Sequence, residues 1–144
     1  MDLTIEDMIR SDTAKAKGID NTPTTQVTLR MQALLDNLVN PINKIIPLRI
    51  TSGYRCKELN AAVGGVPTSQ HTFGMAADTI PQGHNLIELM DTVIQSGLEF
   101  DQLILEKGVW VHMSYYAEHN RKQALIIHQD GRVEEYVSPE KRVV

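Results

Sequence analysis

The sequence carries one cysteine in 144 residues, few aromatic residues (two Phe, one Trp, four Tyr) and no apolar run longer than a few positions. A single thiol, Cys56, cannot close an internal disulfide, so the fold does not depend on an oxidising compartment, and a Cys-rich metal site is excluded. The apolar runs fall far short of the roughly 20 residues that span a bilayer, so no transmembrane helix is expected. An excess of positive charge is also missing. Lys and Arg number 14 against 18 Asp and Glu, the formal net charge is -4, and no basic run exceeds two residues. A surface selected to neutralise phosphate concentrates Lys and Arg on one face, so nucleic acid is not an expected partner. The first residues, MDLTIEDMIR, carry acids where a secretory leader carries cations ahead of an apolar stretch. The expectation is a soluble product made in the cytoplasm without a signal peptide.

What is present suits a packed core: 42% of residues are hydrophobic, and no repeat, low-complexity segment or linker divides the chain. The length is that of one domain, and residues 1–144 read as a single unit. Ile5 to Lys17 reads as one short surface helix closed by Gly18, and about Thr24 to Asn43 as a stronger helix that Pro41 bends or ends. Pro47 to Ser52 reads as a strand, Cys56 to Val63 as one or two helical turns, Met75 to Ile80 as a buried strand holding Asp78, and the segment after Gly83 as a helix. Beyond Gly97 the apolar pattern alternates. Asp101–Glu106 and Val109–Ser114 form one expected hairpin, and Ala124–Gln129 and Val133–Val137 a second one turned by Asp130-Gly131 in a two-residue loop. The fold class is α+β, with N-terminal helices packed on a small, mostly antiparallel sheet.

The stretch from Ser69 to Asp78 sets His71 in a loop and Asp78 on the next strand, around Gly74. Far downstream, Val111 and Met113 belong to the core side of a strand, so His112 faces the other way with Trp110 and Ser114. Taken singly, each residue has an ordinary explanation, such as a turn carboxylate or a half-buried imidazole. His84, His119 and His128 are read as surface residues. Together, His71, Asp78 and His112 make the three-ligand set that leaves a fourth zinc position open to water, as catalytic rather than structural zinc requires.

Three separated segments, Ser-x-His-x-x-Gly-x-Ala-x-Asp at 69–78, Trp-x-His at 110–112 and Ser-Gly-Tyr-Arg at 52–55, resemble the zinc D-Ala-D-Ala carboxypeptidase family. That family belongs to a wider group of peptidoglycan metallopeptidases sharing a fold with lysostaphin-type enzymes and the hedgehog signalling domain. The resemblance runs from about Leu3 to Ser114. It implies one zinc per chain on His71, Asp78 and His112, with Arg55 holding a substrate carboxylate or carbonyl and Ser69 and Trp110 beside the substrate. It further implies a peptidoglycan stem peptide as partner, cut at a bond involving D-alanine by carboxypeptidase or endopeptidase action. A monomer acting on the cell wall after phage-type release is the matching expectation.

Several relatives carry an acid three residues before the last His ligand, where this chain has Val109. The nearest acid is Glu106. Alternation puts Leu103, Leu105, Val111 and Met113 on the core face, which asks for an odd loop, Lys107-Gly108-Val109, with Ile104 opposite His112 and Glu106 on the zinc face. A two-residue loop would turn Glu106 inward and bury a carboxylate at high cost. Asp101 is the second candidate base, but alternation faces it away from His112. Two other readings stand beside the enzyme: a non-catalytic zinc or peptide-binding module, and a metal-free structural domain of a phage particle, in which the three residues do not converge.

Overall fold

The computed structural model describes residues 1–138; the final positions of the unit expected over 1–144 lie outside the described residues. Six strands form one sheet: β1 (Leu48–Ser52), β2 (Ala76–Pro81), β3 (Gln102–Glu106), β4 (Trp110–Ser114), β5 (Gln123–Ile127) and β6 (Val133–Glu135). Their order is β1-β2-β4-β3-β5-β6. All neighbours pair antiparallel except β3 and β5, which run parallel. This is the α+β arrangement that the sequence predicts.

One side of the sheet is covered by helices, because alternation along β3 and β4 hands Leu103, Leu105, Val111 and Met113 to the same face. These side chains pack with Met31, Leu34, Leu35, Leu38 and Ile42 from the long helical segment and with Leu89, Met90 and Val93 from α6 (Leu86–Ser96). Each such side chain contributes about 1.5–3 kcal/mol when fully withdrawn from water. The opposite face is left to carry His112, Asp78 and Glu106.

The helices differ from expectation in two places. Ile5 to Lys17 is not one helix but two, α1 (Ile5–Ile9) and α2 (Asp12–Lys17). Ser11 is extended, and its hydroxyl accepts a hydrogen bond from Ala14 N at 3.1 Å, so a new N-terminus wins over continuation. The second segment is α3 (Thr25–Leu34), a π-helical turn at Leu35–Val39, and α4 (Asn40–Asn43). Asn40 N reaches back to Leu35 O, so the ladder widens just ahead of Pro41, which has no N–H to place in it. Proline therefore neither ends the segment nor breaks its packing. The helical turns expected near Cys56 are α5 (Lys57–Ala62).

The β3–β4 connection is the three-residue loop 107–109, with Ile104 opposite His112 and Glu106 opposite Trp110. The second hairpin departs from the two-residue turn. Its last pair is Ile127 with Val133, leaving a five-residue loop at 128–132 in which His128 N donates to Arg132 O at 2.9 Å. Parallel pairing of β5 with β3 offers Ile126 and Ala124 to the core and sets the strand's end early, at Ile127.

Candidate metal centre

Strand pairing does the first part of the assembly. Asp78 on β2 lies directly opposite His112 on β4, and on its other side opposite Ser52 of β1, where a bulge interrupts the register after Ile50. His71 comes from a separate element, the 3-10 turn Gln70–Phe73. Ser69 starts that turn by accepting from His71 N at 3.2 Å, and Gly74 ends it in the left-handed region at φ +76. A side chain at 74 would also press on Val27, whose atoms lie 2.9 Å from where its Cβ would stand.

Two hydrogen bonds lock the turn to the Ser52-Gly53-Tyr54-Arg55 segment. His71 Nδ1 donates to Gly53 O at 2.7 Å, and Arg55 N donates to His71 O at 3.1 Å. Gly53 itself lies against the end of α1: Tyr54 N bonds Met8 O at 2.7 Å, and a Cβ on residue 53 would overlap that carbonyl. The absence of a side chain therefore lets α1 approach closely enough to fix the Gly53 carbonyl where it accepts from His71 Nδ1.

The result is a buried cluster. His71 Nε2 stands 3.2 Å and His112 Nδ1 3.1 Å from the same oxygen, Asp78 Oδ1, with the two rings at 71° to each other. Burial by itself would raise the Asp78 carboxyl; positive charge on the facing His112 and His71 imidazoles would outweigh it and lower the group below the ordinary carboxylate range. The donor chemistry fits a metal. A carbonyl only accepts, so His71 Nδ1 carries the proton and Nε2 turns a lone pair toward a carboxylate oxygen, an unfavourable meeting that a cation between them relieves. Tetrahedral zinc with bonds of about 2.0–2.1 Å separates neighbouring ligand atoms by about 3.3 Å, close to both distances here. His71, Asp78 and His112 are the group of metal-ligating type that converges among the described residues.

Glu106 rises from the end of β3 on the same face, with Oε1 3.9 Å from His112 Nδ1. Burial raises its carboxyl above the ordinary glutamate value, and the Asp78 charge adds to this, against a smaller opposite pull from His112 and His71. Arg55 is half-buried beside these two acids. Burial pulls its guanidinium down from its ordinary value while the Asp78 and Glu106 carboxylates favour the charged form. Arg55 Nε and Trp110 Nε1 are buried donors with no hydrogen-bond partner among the described residues. Both residues line a groove of about 580 Å³, together with Ile50, Thr51 and Gly53, and the groove meets the candidate metal-ligand cluster at Asp78. Ser69 spends its oxygen as an acceptor within the turn, keeping its O–H free to donate.

Peptidase M15 matches the chain over residues 1–114, which includes the converging residues and all three motifs. The chain belongs to the Peptidase M15 family. Membership makes it a metallopeptidase of a zinc-dependent family, and the His71-Asp78-His112 group is its candidate zinc site. No curated protein sequence matches the chain. Among the described residues, no helix of this peptidase is long and apolar enough to cross a membrane.

The three remaining histidines stand apart from the centre: His84 pairs with Glu88 at 3.1 Å, His128 with Glu134 at 3.3 Å, and His119 is exposed. Asp101, which alternation turns away from His112 toward the core side, is buried. It precedes β3, and Arg121 grips its carboxylate through Nε at 2.9 Å and Nη2 at 2.7 Å. Gln70 also donates to it, at 2.7 Å, and turns its own amide oxygen to His112 Nε2 at 3.4 Å. Sequence reasoning gave Gln70 no part. Its only signal was position, a polar side chain beside His71 that can make hydrogen bonds in two directions.

Proposed function

We propose that this M15 peptidase hydrolyses a peptide bond in a peptidoglycan stem peptide, at a D-alanine residue, with Glu106 as general base and Arg55 as the substrate-carboxylate clamp. The observation that supports this most is the buried His71-Asp78-His112 cluster with the Glu106 carboxylate 3.9 Å from one of its nitrogens. Zinc held by those three residues would supply Lewis acidity toward a water molecule and the scissile carbonyl.

The remaining chemistry belongs to the side chains. Glu106 takes a proton from the attacking water and gives it to the leaving amine, and its raised carboxyl value brings it nearer to the working range of such a group. Arg55 offers a planar fork matched to a carboxylate, and its unpartnered, buried Nε gains a hydrogen bond when such a group arrives. The Trp110 indole has the same unmet need and gives the groove an apolar wall. Ser69, through its O–H, is the further polar contact for the peptide. Convergence of the three ligands argues against the metal-free structural reading.

Incubating purified peptidoglycan with the zinc-loaded protein, with and without a chelator, and identifying released fragments by mass spectrometry tests this reading. Chelator-sensitive release of D-alanine or of a stem-peptide fragment is the expected result. A protein that binds zinc but releases nothing from any wall preparation would favour the binding-module reading instead.

A further inference from the structure

The two candidate imidazole ligands are oriented in different ways. His71 leans on a backbone carbonyl, which accepts only and needs no help to face the right way. His112 has no such support, since Nδ1 faces Asp78 and Nε2 faces a side-chain amide, Gln70, at 3.4 Å. An amide can present oxygen or nitrogen, and with nitrogen toward His112 the imidazole would be driven into the wrong tautomer. Asp101 removes that freedom. Its carboxylate accepts only, so the Gln70 nitrogen must face Asp101 and the Gln70 oxygen must face His112, which leaves the proton on Nε2 and a lone pair on Nδ1.

Asp101 is held just as firmly. Its side chain is 4% exposed, and Arg121 engages it with a two-point guanidinium contact and with its own backbone N–H at 3.0 Å. The polarity therefore runs one way, from guanidinium to carboxylate to amide to imidazole. Arg121 lies beyond residue 114, where the family match ends.

We propose that Gln70 is a positioning residue for His112, aimed by Asp101 and Arg121, so that the chain beyond the family match tunes how tightly the centre holds zinc. This rests on the zinc reading of the site. Partners of this kind fix ring orientation and raise the basicity of the ligating nitrogen.

The test is zinc affinity, measured by competition with a chromogenic chelator on the full chain well below its melting temperature, with the cobalt-loaded protein's absorption as a second readout. Gln70→Ala should weaken zinc on the order of 10–100-fold and shift the cobalt bands. Arg121→Ala should weaken zinc by a smaller factor and add nothing further in the Gln70→Ala background, because both act through one chain of contacts. A merely structural role for Arg121 would lower the melting temperature yet leave zinc affinity and the cobalt spectrum as they are. Zinc affinity of Gln70→Ala within twofold of wild type, or independent losses that multiply in the double variant, would overturn the proposal. If Gln70→Ala does not fold, unchanged affinity in Arg121→Ala, whose replaced side chain is half exposed, overturns it equally. Wild-type protein that fails to bind zinc removes the underlying zinc reading, whereas tight wild-type binding with indifferent variants removes this inference alone.

Discussion

Replacing Glu106 by glutamine keeps the size of the side chain and the hairpin around it while removing its capacity to take a proton. At 3.9 Å from His112 Nδ1, the carboxylate makes no hydrogen bond to that candidate ligand, so the His-Asp-His set should survive the change and the assay can be run at saturating zinc. Loss of a positioned general base costs on the order of 10²–10⁴ in rate, which is about 2.7–5.5 kcal/mol of transition-state stabilisation. Glu106→Asp withdraws the carboxylate by about one bond length, about 1.5 Å, and should fall between wild type and glutamine. The assay is kcat/KM on a synthetic stem peptide across pH. Wild type should show an acidic limb from the Glu106 carboxyl, and that limb should be missing from whatever activity Glu106→Gln retains. Stability supplies an independent check in metal-free protein. A carboxyl raised by folding contributes stability below its unfolded value and loses it as pH rises through the folded value, so Glu106→Gln should melt above wild type at neutral pH. A zinc-saturated Glu106→Gln protein with wild-type kcat/KM would refute the assignment.

Arg55→Ala should keep its zinc and lose on the order of 10–100-fold in kcat/KM, the equivalent of about 1.5–3 kcal/mol for a hydrogen bond to a charged group; Arg55→Lys, lacking the fork, should not restore it, and full activity in either would sink the clamp. Gly53→Ala drives a methyl group into the Met8 carbonyl and should lower stability by about 1–3 kcal/mol while weakening zinc through the displaced His71 partner; wild-type melting and zinc affinity would contradict this. Arg121 holds the Asp101 carboxyl down at about 2, a contribution present above the ordinary aspartate value and lost as pH falls through the folded one. Arg121→Ala should therefore be less stable than wild type at neutral pH, by about 1–3 kcal/mol, with the gap closing between about pH 4 and 2 in denaturant titrations; a pH-independent gap would refute the cause.

Local pattern carried much of this molecule. Alternation in β3 and β4 put Leu103, Leu105, Val111 and Met113 on one side, and only a loop with an odd number of residues keeps both strands consistent with it. That logic sets Ile104 across from His112, and the two residues pair there. The Ser69–Asp78 motif was legible for a similar reason. A cap, a left-handed glycine and a strand are short-range features, each specified within a few residues. The break at Ser11 was visible in principle, since a serine followed by Asp12 is a helix-start signal, but the apolar spacing on either side masked it.

The sequence by itself thus determined the α+β class, the candidate ligand residues and the face on which Glu106 stands, because periodicity and capping act over neighbours in the chain. Only the tertiary structure decided the rest. Parallel pairing of β5 with β3 joins segments with no turn between them to announce it, and no local signal encodes the approach of Met8 to Gly53. Asp101 shows the difference most plainly. Read along the chain it was an acid on the wrong side of a strand; in the fold it meets Arg121 and Gln70 from two distant segments. Strand alternation settles which face a side chain occupies, but the partner a buried charge finds depends on which elements the whole core brings together.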